Sequence, residues 1–111
     1  MTPPPVDTAV LNELRSIMAD DFQMLLDVFI SDSEQRIVMI EKAIANNDAE
    51  GLRDAAHSFK GSSLNISAAQ LTEYCRQLEF MGRDNDMAEA ESVFVETKKA
   101  FAIVREYLTN L

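Results

Sequence analysis

Two residue types that often carry chemistry are nearly missing: histidine and cysteine occur once each, as His57 and Cys75. A lone cysteine excludes an internal disulfide and fits a cytoplasmic setting. A zinc centre takes three or four His, Cys or carboxylate ligands, and one His and one Cys on different helices do not begin such a set, so no metal site is expected. Prolines number three and all fall at Pro3, Pro4 and Pro5. Glycines are also only three, and Gly61 follows Lys60 rather than preceding it, which excludes a phosphate-binding P-loop. Basic residues are scarce, 10 Lys plus Arg against 19 Asp plus Glu for a net charge of −9. That balance argues against nucleic acid and against anionic membrane surfaces as partners. No apolar run approaches the roughly 20 residues of a membrane span. Sustained period-two alternation with turn pairs is missing too, which excludes a strand-built fold.

What remains is helical. At 111 residues and 47% hydrophobic composition the chain is long enough for one domain with its own core. Residues 1–6 read as an extended arm, since consecutive prolines favour polyproline II, and not as a signal peptide. Residues 7–111 read as the domain. Asp7 predicts the cap of a short first helix carrying Val10, Leu14 and Ile17. A long helix from about Asp20 buries Phe22, Leu25, Leu26, Phe29, Ser33, Ile37, Ile40 and Ile44, and ends at Asn46-Asn47. Asn47-Asp48-Ala49-Glu50 reads as a capping box opening a third helix with Leu52, Ala55, Ala56, Phe59, Ser63 and Ile66 inward. Ser67-Ala68-Ala69-Gln70 reads as another, opening a fourth with Leu71, Tyr74, Cys75 and Leu78 inward. Gly82 to Asn85 reads as a turn. Asp86-Met87-Ala88-Glu89 then starts a last helix with Ala90, Val93, Phe94, Thr97, Phe101, Val104 and Leu108 inward. Short connections make neighbours antiparallel. The expected fold is all-α: an up-and-down antiparallel four-helix bundle with a short N-terminal helix packed across one end. A monomer is the default expectation, because no outer face shows a coiled-coil seam.

The chemistry concentrates in the third helix. At about 100° per residue, His57 lies roughly 150° from the centre of the apolar stripe, so the only histidine faces water. Lys60 and Gly61 are its i+3 and i+4 neighbours and lie beside it on the surface, and Leu64, one turn further, is an exposed leucine on the same line. A mid-helix glycine costs about 1 kcal/mol relative to alanine. At Gly61 it leaves open space beside the imidazole, enough for a phosphoryl group, and Lys60 supplies positive charge for that group. A neutral imidazole is a competent nucleophile toward phosphorus.

The segment Ala56-His57-Ser58-Phe59-Lys60-Gly61-Ser62-Ser63 resembles the signature of bacterial histidine-containing phosphotransfer (HPt) domains, His-x-x-Lys-Gly followed by small residues. Leu71 through Glu79 is similar to the family's next helix, and the likeness covers about residues 7 to 110. The layout is most similar to the stand-alone HptB type. The resemblance implies a phosphorelay intermediate. His57 takes a phosphoryl group from the aspartate of a receiver domain in a hybrid sensor kinase and passes it to the receiver aspartate of a response regulator. It implies Lys60 beside the phosphoryl group and Gly61 as the clearance position. Receiver domains are the implied partners and supply Mg²⁺, so this chain needs no cofactor and is a carrier rather than an enzyme. Leu64, Arg53, Asp54, Ser58 and Glu79 are the candidate docking residues around the histidine. Ser67 departs from the family, which commonly has glycine at that turn; a serine there is expected to cap the next helix. The competing function is a helical adaptor that binds receiver-like partners without being phosphorylated.

Overall fold

In the computed structural model, residues 4–111 are described and form five α-helices with no strand among them: α1 (Thr8–Met18), α2 (Phe22–Ala45), α3 (Ala49–Asn65), α4 (Ala69–Arg83) and α5 (Ala90–Thr109). Met1–Pro3 of the expected arm lie outside the described residues. Val6, at the arm's other end, is buried in the core, and the amide of Asp7 donates to the carbonyl of Ser67 at 3.1 Å. The arm is therefore stitched to the α3–α4 turn where α1 begins. Asp7 caps α1 as its sequence position predicts, its carboxylate accepting from the amides of Ala9 and Val10.

Helices α2 to α5 pack in a ring, α2 on α3, α3 on α4, α4 on α5 and α5 back on α2. Phe29 of α2, Phe59 of α3 and Phe101 of α5 meet in the middle, with ring centroids 6.3 Å apart for Phe29–Phe101 and 6.1 Å for Phe59–Phe101. Burying one such ring contributes about 1.5–3 kcal/mol. The predicted stripes are largely inward, with Leu25, Ile37, Ile44, Tyr74 and Val93 only half-buried. In α1 the register differs: Leu11 is the buried residue and Ile17 is exposed. A three-turn helix lying on the others offers a narrow contact face, so its apolar residues do not all face inward.

Three turns share one construction. The residue after each helix cap sits in the left-handed region, Asn47 at φ 51, Ser67 at φ 60 and Asn85 at φ 53. Each turn closes with a Schellman pair of hydrogen bonds. These run Asp48 to Ala43 (2.8 Å) with Asn47 to Ile44, Ala68 to Ser63 (3.0 Å) with Ser67 to Leu64, and Asp86 to Met81 (2.9 Å) with Asn85 to Gly82.

This geometry corrects four expectations. Asp48 rather than Asn47 caps α3, accepting from the amide of Gly51. Ser67 does not cap α4; it turns the chain, and α4 starts behind Ala68 without a side-chain cap. Gly82 lies inside α4 and is buried, leaving Asp84-Asn85 to make the turn. Helix α5 starts only at Ala90. Aspartate and serine at these places signal a helix start, but the signal cannot say whether the left-handed residue of the preceding helix comes first. A left-handed backbone costs an L-residue roughly 1–2 kcal/mol, and glycine avoids that cost while losing about 0.5–1 kcal/mol to unfolded-chain entropy. Ser67→Gly is therefore expected to stabilise the protein by a few tenths to about 1 kcal/mol, read as a higher urea midpoint. A lower midpoint would mean that the serine hydroxyl matters at this turn.

Candidate functional site

Helix α3 presents His57, Gly61 and Leu64 on its outer face, as its periodicity predicts. The His57 side chain is 68% exposed and Leu64 is 63% exposed. Around Gly61 a Cβ would meet no heavy atom within 4 Å. The imidazole thus stands beside an open notch.

Helix α4 supplies what the third helix alone cannot. At one end of the α3–α4 pair, Ser63 and Thr72 share a hydroxyl hydrogen bond of 2.9 Å. At the other end Gly82 lies against the backbone of Ala49 and Arg53. Between these two contacts Glu79 reaches across. Its Oε2 lies 2.9 Å from Nδ1 of His57 and its Oε1 lies 2.6 Å from Nζ of Lys60. The Glu79 side chain is only 17% exposed, and the ammonium is the counterpart of the buried Oε1.

The electrostatics follow from that arrangement. Burial pushes the Glu79 pKa up, but hydrogen bonds from Lys60 and His57, together with their charge, outweigh it and hold the carboxyl below the usual carboxylate range. A lowered folded pKa means that the contact contributes stability above the unfolded carboxylate pKa. That stability is lost as pH falls through the lower folded value, so it persists through neutrality and fails only in acid. An ionised Glu79 can only accept, so the Nδ1 facing it carries the imidazole proton. Nε2 is then the ring nitrogen with the free lone pair.

Lys60 is not the free surface lysine expected from helix counting. It is 27% exposed and its ammonium is drawn onto Glu79. Glu79, expected among the docking residues, lies instead beneath the histidine. Of the other candidates, Arg53 and Asp54 pair with each other at 3.3 Å on the surface, where such a pair is worth little. Ser58 accepts from Nε of Arg36 on α2 at 2.9 Å, and Arg36 also contacts Sδ of Met39. Arg36 and Met39 had no signal of their own in the sequence. Glu79 had a faint one: an acid one step from the buried stripe of Leu71, Cys75 and Leu78 needs a cation nearby. Cys75 is buried, and burial pushes its thiol up to about 12, against weaker opposing effects of Lys60 and Ser63. It stays protonated and packs as a small apolar residue. Among the described residues no three His, Cys, Asp or Glu side chains gather to hold a metal ion, and no helix is long and apolar enough to cross a membrane.

Known proteins similar to this chain match it over most of its length. A model of the Hpt domain matches residues 24–111. The crystal structure of histidine-containing phosphotransfer protein B (HptB) from Pseudomonas aeruginosa PAO1 superposes with a TM-score of 0.94. It is 38% identical and covers 98% of this chain and 95% of that one. The phosphorelay intermediate protein YPD1 of Candida albicans is 24% identical over 104 residues, 91% of this chain and 56% of that protein. This chain therefore spans little more than half the length of that curated relative. With the bundle, the exposed histidine and the domain match in agreement, the chain belongs to the Hpt domain family.

Proposed function

We propose that this protein is a phosphorelay intermediate in which Nε2 of His57 carries the phosphoryl group. The observation behind this reading is the orientation of the imidazole: Nδ1 is held by Glu79 and the other face stands in solvent beside the Gly61 notch. In the inward step the Nε2 lone pair forms a bond to the phosphorus of a receiver aspartyl phosphate. The phosphorus–oxygen bond to the aspartate breaks, and its electron pair leaves on the carboxylate. The outward step is the reverse, to a response-regulator aspartate. Lys60 neutralises charge on the phosphoryl oxygens, and Gly61 leaves room for the partner. Leu64, Arg53, Asp54 and Ser58 lie on the face the receiver would cover, and Leu64 is the apolar contact most exposed to it. Mg²⁺ belongs to the receiver, so this chain is a carrier rather than an enzyme and binds no cofactor of its own. The acidic surface suits neither nucleic acid nor an anionic membrane. A monomer working in the cytoplasm fits this role.

The test is phosphate that is acid-labile and base-stable on this chain after incubation with a phosphorylated receiver and Mg²⁺. No such label from any of a panel of receivers would overturn the proposal.

Gly61→Gln is expected to leave the fold unharmed or slightly more stable, because the added side chain meets open space and glycine is a poor helix former. The same side chain fills the notch that the aspartyl phosphate must enter. In-line attack needs reacting atoms about 3–3.5 Å apart, so transfer is expected to fall by tenfold or more, on the order of 1.4 kcal/mol. Stopped-flow transfer rates beside a thermal melt check both halves; normal transfer would show that the notch is not used.

A further inference from the structure

Arg36 is brought to the histidine by the fold, yet the phosphoryl chemistry above does not use it. It lies half-buried on α2, where its Nε donates to Oγ of Ser58 at 2.9 Å and its Nη1 reaches Sδ of Met39 at 3.6 Å. Ser58 directly follows His57 in the chain, which places it about 100° further round α3. The imidazole and Lys60 turn the other way, onto Glu79 of α4. The guanidinium therefore stands on the α2 flank of His57, and the ring and the lysine lean on the α4 flank. A receiver that covers His57 lies over both.

Charge sets Arg36 apart from the other cations here. Every lysine and arginine of α3 and α4 has a carboxylate of its own: Arg53 has Asp54, Lys60 has Glu79, Arg76 has Glu73 and Arg83 has Asp84. Arg36 has none within ion-pairing distance among the described residues, and both of its acceptors are neutral. A guanidinium presents its N–H groups in a rigid planar fork, and a thioether is only a weak acceptor. The N–H groups not turned to Ser58 or Met39 have no protein acceptor among the described residues. The side chain is thus aimed but not neutralised, in a chain whose net charge is −9. An oriented, uncancelled guanidinium is the donor that a carboxylate from another molecule fits best. Resting on the phosphotransfer reading, we propose that Arg36 is a specificity-determining residue that takes a carboxylate side chain of the incoming receiver on the α2 side of His57. Ser58 fixes its direction, and Met39, 48% exposed, forms an apolar wall beside the pair. The contact serves the encounter and not the bond-making step. Receivers with an acid at that place are favoured, and those with a neutral or basic residue there are rejected.

The experiment uses the full chain as wild type, Arg36→Met, Arg36→Glu and Ser58→Ala, with the phosphorylated receiver, from a panel, that labels wild type fastest and Mg²⁺. Arg36→Met keeps the bulk of the side chain and loses its charge. It should raise KM for the receiver about five- to tenfold and leave kcat within about twofold, because a charge at the edge of an interface acts on encounter. Arg36→Glu should raise KM further, and Ser58→Ala, which leaves the arginine unaimed, should raise it less. The dependence of kcat/KM on salt should be flatter in Arg36→Met than in wild type. Alanine substitution of the exposed carboxylates around the receiver's phosphorylated aspartate identifies the partner: one of them should weaken binding to wild type and have no effect on Arg36→Met. A fall in kcat at an unchanged KM would overturn the proposal and place Arg36 on the phosphoryl group. A lower melting temperature with KM unchanged in both Arg36→Met and Ser58→Ala would reduce the residue to a tie between α2 and α3. The proposal also falls if every receiver carboxylate acts additively with Arg36→Met. Those results leave the labelling of His57 intact, whereas absence of label on wild-type His57 would overturn the phosphotransfer reading and this proposal with it.

Discussion

His57→Gln is expected to fold like the wild type and to accept no phosphate at all. The fold should be indifferent because the side chain is mostly in water and fills no core position. The glutamine amide can still donate toward Oε2 of Glu79, and Lys60 still neutralises Oε1, so the substitution strands no buried charge. The melting temperature should therefore stay within about 2 °C of wild type, equivalent to well under 1 kcal/mol. Chemically the loss is complete. An amide nitrogen has its lone pair delocalised into the carbonyl, and the chain has no second histidine to take over. The check is phosphate incorporation from a phosphorylated receiver, run beside a thermal melt. A mutant that labels like wild type would move the acceptor to another side chain and leave the exposed imidazole without a role.

Gly82→Ala is expected to be among the most damaging single-methyl additions in the molecule. Helix propensity alone would make it stabilising by about 1 kcal/mol, as at Gly61. The surroundings reverse the sign. A Cβ at Gly82 would stand 2.5 Å from the carbonyl oxygen of Ala49 and 2.6 Å from the amide nitrogen of Arg53. Those are backbone atoms of the first two turns of α3 and cannot rotate away as a side chain would. The two helices must separate, which forfeits packing along the α3–α4 contact and costs roughly 2–3 kcal/mol. For a domain of this size that is a fall in melting temperature on the order of 10 °C. Glu79 sits one turn before Gly82, so the same displacement should lengthen its reach to His57 and weaken the Nδ1 contact. Differential scanning calorimetry beside the His57 ring ¹⁵N shifts tests both. An alanine variant that melts at or above wild type would show that the helices have room to spare at this crossing.

The contrast between these two glycines marks where local information ends. Helix periodicity comes from hydrogen bonds between near neighbours, so the exposure of His57, Gly61 and Leu64 can be counted along the chain before any packing is known. The same holds for the inward stripes of α2 and α5 and for the asparagine that ends α2. Gly61 and Gly82 both lie inside helices, yet one faces solvent and the other a neighbouring backbone. What separates them is the rotation and stagger of α4 on α3. That stagger is set jointly by Gly82 on Ala49, far apart along the chain, and by Ser63 on Thr72 across the turn between the two helices. It also decides that Glu79, 22 residues beyond His57, arrives under the imidazole and takes Lys60 with it. The sequence by itself determined a helical bundle with one exposed histidine beside an open glycine. Only the tertiary structure decided which ring nitrogen is free, because the proton on the other is fixed by a carboxylate from a different helix.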